Sequence, residues 1–398
     1  MRWNWHFGLG PELGYAFWAL TFFEAVLGSY APIWPLWIEH LGAPIAVVGV
    51  VLASQGIVRP FVLGPGAAIV DRLSTRHVLI VCRSMSVVGL IVAATAQRWE
   101  ILFVTVLFNA LGELVFPTIH SYVAHYAGDD PVHAFNMTIT IGPAGGLIIT
   151  PLISGLVIAW GGMRAAFVLS ALLTVAALWF VSKMDFSVSH ADTTIENRAT
   201  YRSILQHTEM RNMVVLHALT IAALGIGVAL ISNFLEEVRG IDPSLIAILS
   251  AGAAVGTVSF GFASARIRWL RPYPVLAAAI ATGIVGVGLL LFATQSAVPI
   301  IAVAYLFRGG VFSAWALFLA AMGKVAPANL RSRGFSVMEI LGGSMMSFGP
   351  LAASQLWDID PRTPLFVAAC LAFAMVVAML WYHLRDTKSA AVARPDIA

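Results

Sequence analysis

The chain has 398 residues, 59% of them hydrophobic and 11% charged, with a formal net charge of +3. A soluble domain carries about 25% charged residues, so there is too little polar surface here to coat a soluble fold, and lipid is the expected solvent. The 23 Lys and Arg residues punctuate apolar runs and do not gather in a module of their own, which argues against a nucleic-acid binder.

A spanning helix needs about 20 mostly apolar residues. That rule predicts twelve helices, over 13–38, 45–69, 78–96, 100–124, 136–159, 166–183, 213–235, 244–264, 274–294, 298–322, 334–356 and 364–384. The expected fold is an all-α membrane protein with two pseudo-symmetric six-helix bundles. The first bundle covers 1–184, a cytoplasmic linker 185–212, the second bundle 213–386 and a cytoplasmic tail 387–398. The first apolar run carries Glu24 and is too long for a signal-peptide core, so it is expected to stay as a helix. Cys82 and Cys370 both fall in apolar runs and read as buried, inert thiols, with no disulfide framework. No metal-ligand spacing and no nucleotide-binding loop is present, so neither a metal nor a cofactor is expected. No Ser/His, paired-Asp or His-Glu-x-x-His constellation points to an enzyme.

Orientation follows from Lys and Arg. With the N-terminus inside, sixteen basic residues fall on the cytoplasmic side, from Arg2 through Lys183 to Arg394. Four fall outside: Arg98, Arg164, Arg239 and Arg362. Both termini are therefore expected in the cytoplasm.

The halves repeat. Helix 5 reads Gly142-x-x-x-Gly146-x-x-x-Thr150-Pro151-Leu152-x-Ser154-Gly155, and helix 11 reads Gly343-x-x-x-Ser347-Phe348-Gly349-Pro350-Leu351-x-Ala353-Ser354. Pro151 and Pro350, Leu152 and Leu351, Gly155 and Ser354, and Phe167 and Phe366 all stand 199 apart. Small residues four apart let helices approach closely in lipid, which marks Gly142, Gly146, Pro151, Gly155, Gly349 and Pro350 as helix-packing positions. The fixed offset points to an internal duplication.

Between helices 2 and 3 the chain reads Gly66-Ala-Ala-Ile-Val-Asp71-Arg72-Leu-Ser74-Thr-Arg76-His77, a tight polar hairpin. It resembles the Gly-x-x-x-Asp-Arg-x-Gly-x-Arg loop of the major facilitator superfamily, with Ser74 where that family carries Gly. Gly162-Met163-Arg164-Ala165-Ala166-Phe167 resembles the family's entry to helix 6, and Pro327 with Arg331-Ser332-Arg333-Gly334 its helix 10–11 loop. The helix 5 stretch is similar to the family's antiporter signature. The resemblance implies a conformational latch at Asp71, Arg72 and Arg76, with the Asp71 carboxylate set against the start of helix 11, where a helix dipole favours it.

An ionisable group at membrane depth is costly and needs a reason. The resemblance implies that helices 1, 4, 7 and 10 line a central cavity, and this chain puts Glu24, Glu113, His217 and Arg308 on them. At about 1.5 Å per residue, Glu24 lies roughly 18 Å from the cytoplasmic end of helix 1. On the same rise Glu113 lies roughly 20 Å and Arg308 roughly 15 Å in from their ends. Glu24, Glu113 and His120 are candidate proton carriers. Arg59, Asn109, Tyr305, Arg308, Phe312 and Trp315 are candidate substrate contacts. Spacing puts Asn109, Glu113 and His120 on one face of helix 4, and Tyr305, Arg308, Phe312 and Trp315 on one face of helix 10. His217, nearer a helix end, is a weaker candidate. Arg83 and Glu339 are expected to snorkel from about one turn inside helices 3 and 11.

The resemblance implies a secondary active transporter, expected to be proton-coupled and to export a small organic molecule by alternating access. The alternatives are a proton symporter importing an organic acid, or a non-transporting receptor or scaffold on the same fold. The expected setting is a bacterial plasma (inner) membrane, as a monomer with lipid and a small-molecule substrate as its only partners.

Overall fold

The computed structural model describes residues 5–392 other than 73–74, 114, 128–130, 187–203, 205 and 328–329. The linker expected over 185–212 and the end of the tail lie largely outside the described residues. What is described is helical throughout, with no strand among those residues.

The helices follow the hydropathy. α1 is Pro11–His40, α2 Ile45–Arg72 and α3 Thr75–Thr95. α4 comes in two pieces, Leu102–Gly112 and Val115–Tyr126. Next is a continuous helical run, Gly142–Val181, entered through a π-helical stretch, Asn136–Ile141. Forty residues at about 1.5 Å each measure about 60 Å, twice the hydrocarbon thickness. The run must therefore turn, and it does so at Gly162, whose φ of 70° only glycine adopts without strain. It supplies two passes, α5 (142–161) and α6 (163–181). α7 is again in two pieces, Thr208–Val228 and Ile231–Glu237. α8 is Pro243–Arg266, α9 Pro274–Thr294, α10 Val298–Arg308 plus Gly310–Val325, α11 Arg331–Trp357 and α12 Thr363–Val392. Eight stretches are individually long and apolar enough to cross a membrane; with the paired α5–α6 run resolved, and the interrupted or more polar α2, α4 and α11 added, the count is twelve. Proline stands at or beside the first helical position of α1, α9 and α10, where its missing N–H costs no hydrogen bond.

The chain divides into two compact units. One holds residues 1–195 together with 235–251; the other holds 196–234 and 252–398. In the first unit α1 and α5 cross at contact distance: a Cβ at Gly28 would sit 3.2 Å from Pro151 Cδ, and one at Gly146 would collide with the backbone of Thr21 and Ala25. The crossing is sealed by serines. Ser154 Oγ donates to the Ser29 carbonyl at 2.6 Å, and Ser29 and Ser170 share a hydroxyl–hydroxyl bond, joining α5, α1 and α6. Lower on α5, a Cβ at Gly155 would lie 2.6 Å from the Ser244 carbonyl of α8.

The second unit repeats the device. A Cβ at Gly349 of α11 would run into the backbone of Gly225 on α7. In lipid, helices associate through close packing and interhelical hydrogen bonds, so these crossings hold each bundle together. Gly349→Leu should therefore abolish the α7–α11 contact, with loss of monodisperse protein on size exclusion in mild detergent; Gly145→Leu, at a glycine with open space around its Cβ position, should leave the elution profile intact. Cys82 is half-buried and Cys370 exposed, so the expected burial of both thiols does not hold: Cys370 faces outward from α12.

Candidate functional site

Four helices are interrupted, and they pair across the repeat. α1 breaks at the 3-10 turn Ala31–Ile33 and α7 between Val228 and Ile231. α4 breaks after Gly112 and α10 after Arg308. The α4 and α10 breaks are closed alike. Glu113 N–H reaches back to the Ala110 carbonyl at 3.2 Å, and Gly309 N–H to the Leu306 carbonyl at 3.1 Å, three residues each instead of four. Backbone groups freed in a membrane need new partners. Thr257 Oγ1 supplies one, donating to the Gly309 carbonyl at 3.0 Å. Paired interruptions at corresponding places in two halves are the best structural pointer to a carrier's binding region. The α4 and α10 breaks each coincide with an ionisable residue, Glu113 or Arg308.

In the first unit the break borders a buried polar cluster. Arg83, expected to snorkel, is only 7% exposed. α3 begins at Thr75, a turn earlier than hydropathy suggests, so Arg83 lies two turns inside. Its guanidinium carbon sits 3.8 Å above the Phe23 ring of α1, and one of its nitrogens would be 3.3 Å from a Cβ at Gly112. Glu113, Tyr30 and Glu24 are all close enough to act on its charge. A guanidinium in hydrocarbon is costly unless neutralised; here an aromatic face and two carboxyls do so. One turn from Glu113, the Asn109 amide nitrogen is buried with no hydrogen-bond partner among the described residues.

In the second unit Tyr305 is 1% exposed, its ring edge-on to Phe292 at 5.0 Å. Arg308 is half-buried and forms no ion pair among the described residues. Phe312 is 59% exposed, so the four-residue face expected on helix 10 is not one surface: Tyr305 is core, Phe312 is not. Trp315 is half-buried and its indole Nε1 donates to Glu339 Oε1 of α11 at 2.9 Å. Glu339 is thus tied to an aromatic side chain and is not a free snorkelling group. His217 is fully buried, edge-on to Trp315 at 5.0 Å and to Phe318 at 5.4 Å.

The side chains of Arg59, Asp71, Arg72 and His120 lie outside the described residues. Arg76 is exposed and donates to the Ser182 carbonyl at the end of α6, a cation at a helix C-terminus.

Sequence reasoning missed Arg83 and the helix breaks. Arg83 was visible as a charge in an apolar run; its depth was not, because it depends on where α3 begins.

Twelve helices in two repeated bundles, with interrupted helices carrying ionisable residues, define a helical membrane transporter. Residues 16–350 match the Major Facilitator Superfamily, and the chain belongs to that family: it is a transporter and not an enzyme. Among solved structures the chain is similar to the nucleoside transporter NupG, at 16% identity and a TM-score of 0.77, covering 93% of this chain and 99% of that one. It is similar to a POT family transporter in complex with a thioalcohol-conjugated peptide, at 13% identity and a TM-score of 0.74, covering 94% and 96%. The human organic anion transporter MFSD10 (TETRAN) matches at 12% identity and a TM-score of 0.62, covering 94% and 99%. Identities this low carry the fold alone. A search of curated proteins finds no match.

Proposed function

We propose that this chain is a proton-coupled secondary transporter that exports a small organic molecule by alternating access. One observation supports the coupling: two carboxyls, Glu24 and Glu113, lie close enough to the buried Arg83 guanidinium to act on its charge. With both carboxyls ionised the three groups sum to −1, an imbalance that hydrocarbon penalises. One proton, or one cationic ligand, neutralises it. Such a cluster can exchange a proton for a cargo, which is the logic of antiport. Export is supported by the likeness of the Gly142–Gly155 stretch to an antiporter signature. No step requires a cofactor; the proton gradient is the energy source.

A second reading, uptake of an organic acid with a proton, is favoured by Arg308, a half-buried cation with no ion pair among the described residues. One experiment separates the two. Ligands found by thermal shift on the purified protein are loaded into proteoliposomes, and flux is followed with and without an imposed pH gradient. Antiport gives solute movement against the proton flow; symport gives movement with it; flux that ignores the gradient contradicts coupling.

We place the protein in a bacterial inner membrane with both termini in the cytoplasm, on the asymmetry of basic residues. With Cys82 and Cys370 replaced by serine, a cysteine at Ser296, between α9 and α10, should react with a membrane-impermeant thiol reagent on intact cells. One at Ser389 should resist it. The reverse pattern inverts the topology.

A further inference from the structure

The second unit contains a carboxylate that its own fold orients and that no described residue pairs with. Glu339 is exposed on α11 and accepts the Trp315 N–H at 2.9 Å; among the described residues it forms no ion pair. It does not share a helix face with the exposed apolar side chains. Ser336, Glu339, Gly343 and Ser347 recur at helical spacing and make a polar strip, while the exposed apolar residues Ile340 and Phe348 lie on another side.

Trp315 is held in turn. His217, fully buried, packs edge-on against the indole with an interplanar angle of 89°. The two rings meet in a slot that exists because residue 342 is glycine: a Cβ there would be 2.5 Å from His217 Nε2 and 2.8 Å from Trp315 Cη2. His217 therefore acts as a positioning residue. It fixes the tilt of the indole, which fixes the carboxylate.

We propose that Glu339 and the face of Trp315 form a binding subsite for an organic ammonium ion. The chemistry is the pairing of a fixed negative charge with a half-open indole, the best of the aromatic faces for a cation. A hydrated inorganic cation would gain the charge but could not use the ring. This assignment rests on the transporter reading and names the cargo class for antiport.

The test is equilibrium binding of radiolabelled benzyltrimethylammonium to the full-length protein in nanodiscs, with benzoate as competitor. Wild type should bind it saturably and benzoate should not displace it. Glu339→Gln should weaken binding at least tenfold. Trp315→Phe keeps a ring but drops the N–H that holds the carboxylate, and should weaken it several-fold. His217→Leu should weaken it through Trp315, with the tryptophan emission shifted, a change that simple loss of protein would not give. Glu339→Asp, which keeps the charge but draws it off the indole, serves if the Gln variant does not fold, and should also weaken binding. Unchanged affinity in the Glu339 variants overturns the proposal. So does saturable benzoate binding without ammonium binding. Loss of ammonium binding alongside gradient-driven flux of another solute sinks this subsite and leaves proton coupling standing. Ammonium binding with flux indifferent to pH does the opposite.

Discussion

Arg83→Met should destabilise the N-terminal unit by about 3–5 kcal/mol, the usual cost of stripping one partner from a buried charge cluster. It should also abolish transport. The substitution keeps a long apolar stem to fill the space over Phe23, so lost packing contributes little. What remains is Glu24 and Glu113 without their common counter-charge. In the Arg83→Met background, Glu24→Gln combined with Glu113→Gln should recover most of the stability, because no uncompensated carboxylate is then left. Arg83→Lys should fall between, since a compact ammonium holds the charge but lacks the planar fork that can meet two carboxyls. Thermal unfolding in detergent reads all three against wild type. An Arg83→Met protein that unfolds like wild type and still transports means the guanidinium is not what balances the two acids.

Gly309→Ala should be more damaging than the same change at the other break, Gly112→Ala, and for a reason visible in what each side chain would strike. At Gly309 the obstacles are backbone: the Ala253 carbonyl and the Thr257 amide of α8, with Gly256 beside them. No rotamer relieves that, and the helix pair must separate. Overpacking usually costs about 1–3 kcal/mol, and here it also removes the Thr257 bond that satisfies the Gly309 carbonyl, roughly another 1 kcal/mol. At Gly112 the first obstacle is the Ser86 hydroxyl, the end of a side chain that can rotate away, and the next is Arg83. Gly112→Ala should therefore fold but displace the guanidinium, lowering gradient-driven flux more than stability. Expression and melting temperature together with flux distinguish the cases. Equal loss of folding at both positions would contradict this account of the breaks.

Much of the architecture was legible from residue pattern alone. The apolar runs located the helices, and the 199-residue offset between Pro151 and Pro350 anticipated that α5 and α11 would each pack closely through small residues. Gly162, read only as part of a loop signature, turned out to be the residue that makes two passes out of one 40-residue run. The site was harder to see. Depth counted along a helix axis depends on where the helix starts, and α3 starts early, which moved Arg83 from the interface into the core. Face assignments assume an unbroken 100° step, and Gly309 interrupts it, so Tyr305 and Phe312 part company although their spacing matched. Neither the stacking of Arg83 on Phe23 nor the Trp315–Glu339 bond leaves any periodicity in one sequence, because each joins different helices.

The central claim is that the carboxyls sharing Arg83 carry the coupling proton. Its most direct test compares two assays on the same reconstituted Glu113→Gln and Glu24→Gln proteins: accumulation of solute driven by a pH gradient, and exchange of labelled for unlabelled solute at equal pH. Glutamine imitates the protonated acid and cannot release a proton. The account predicts that Glu113→Gln loses accumulation while retaining exchange, with Glu24→Gln as the alternative site of that loss. If both variants still accumulate solute with a normal pH dependence, neither carboxyl is the proton site, and coupling must lie at His120 or be absent.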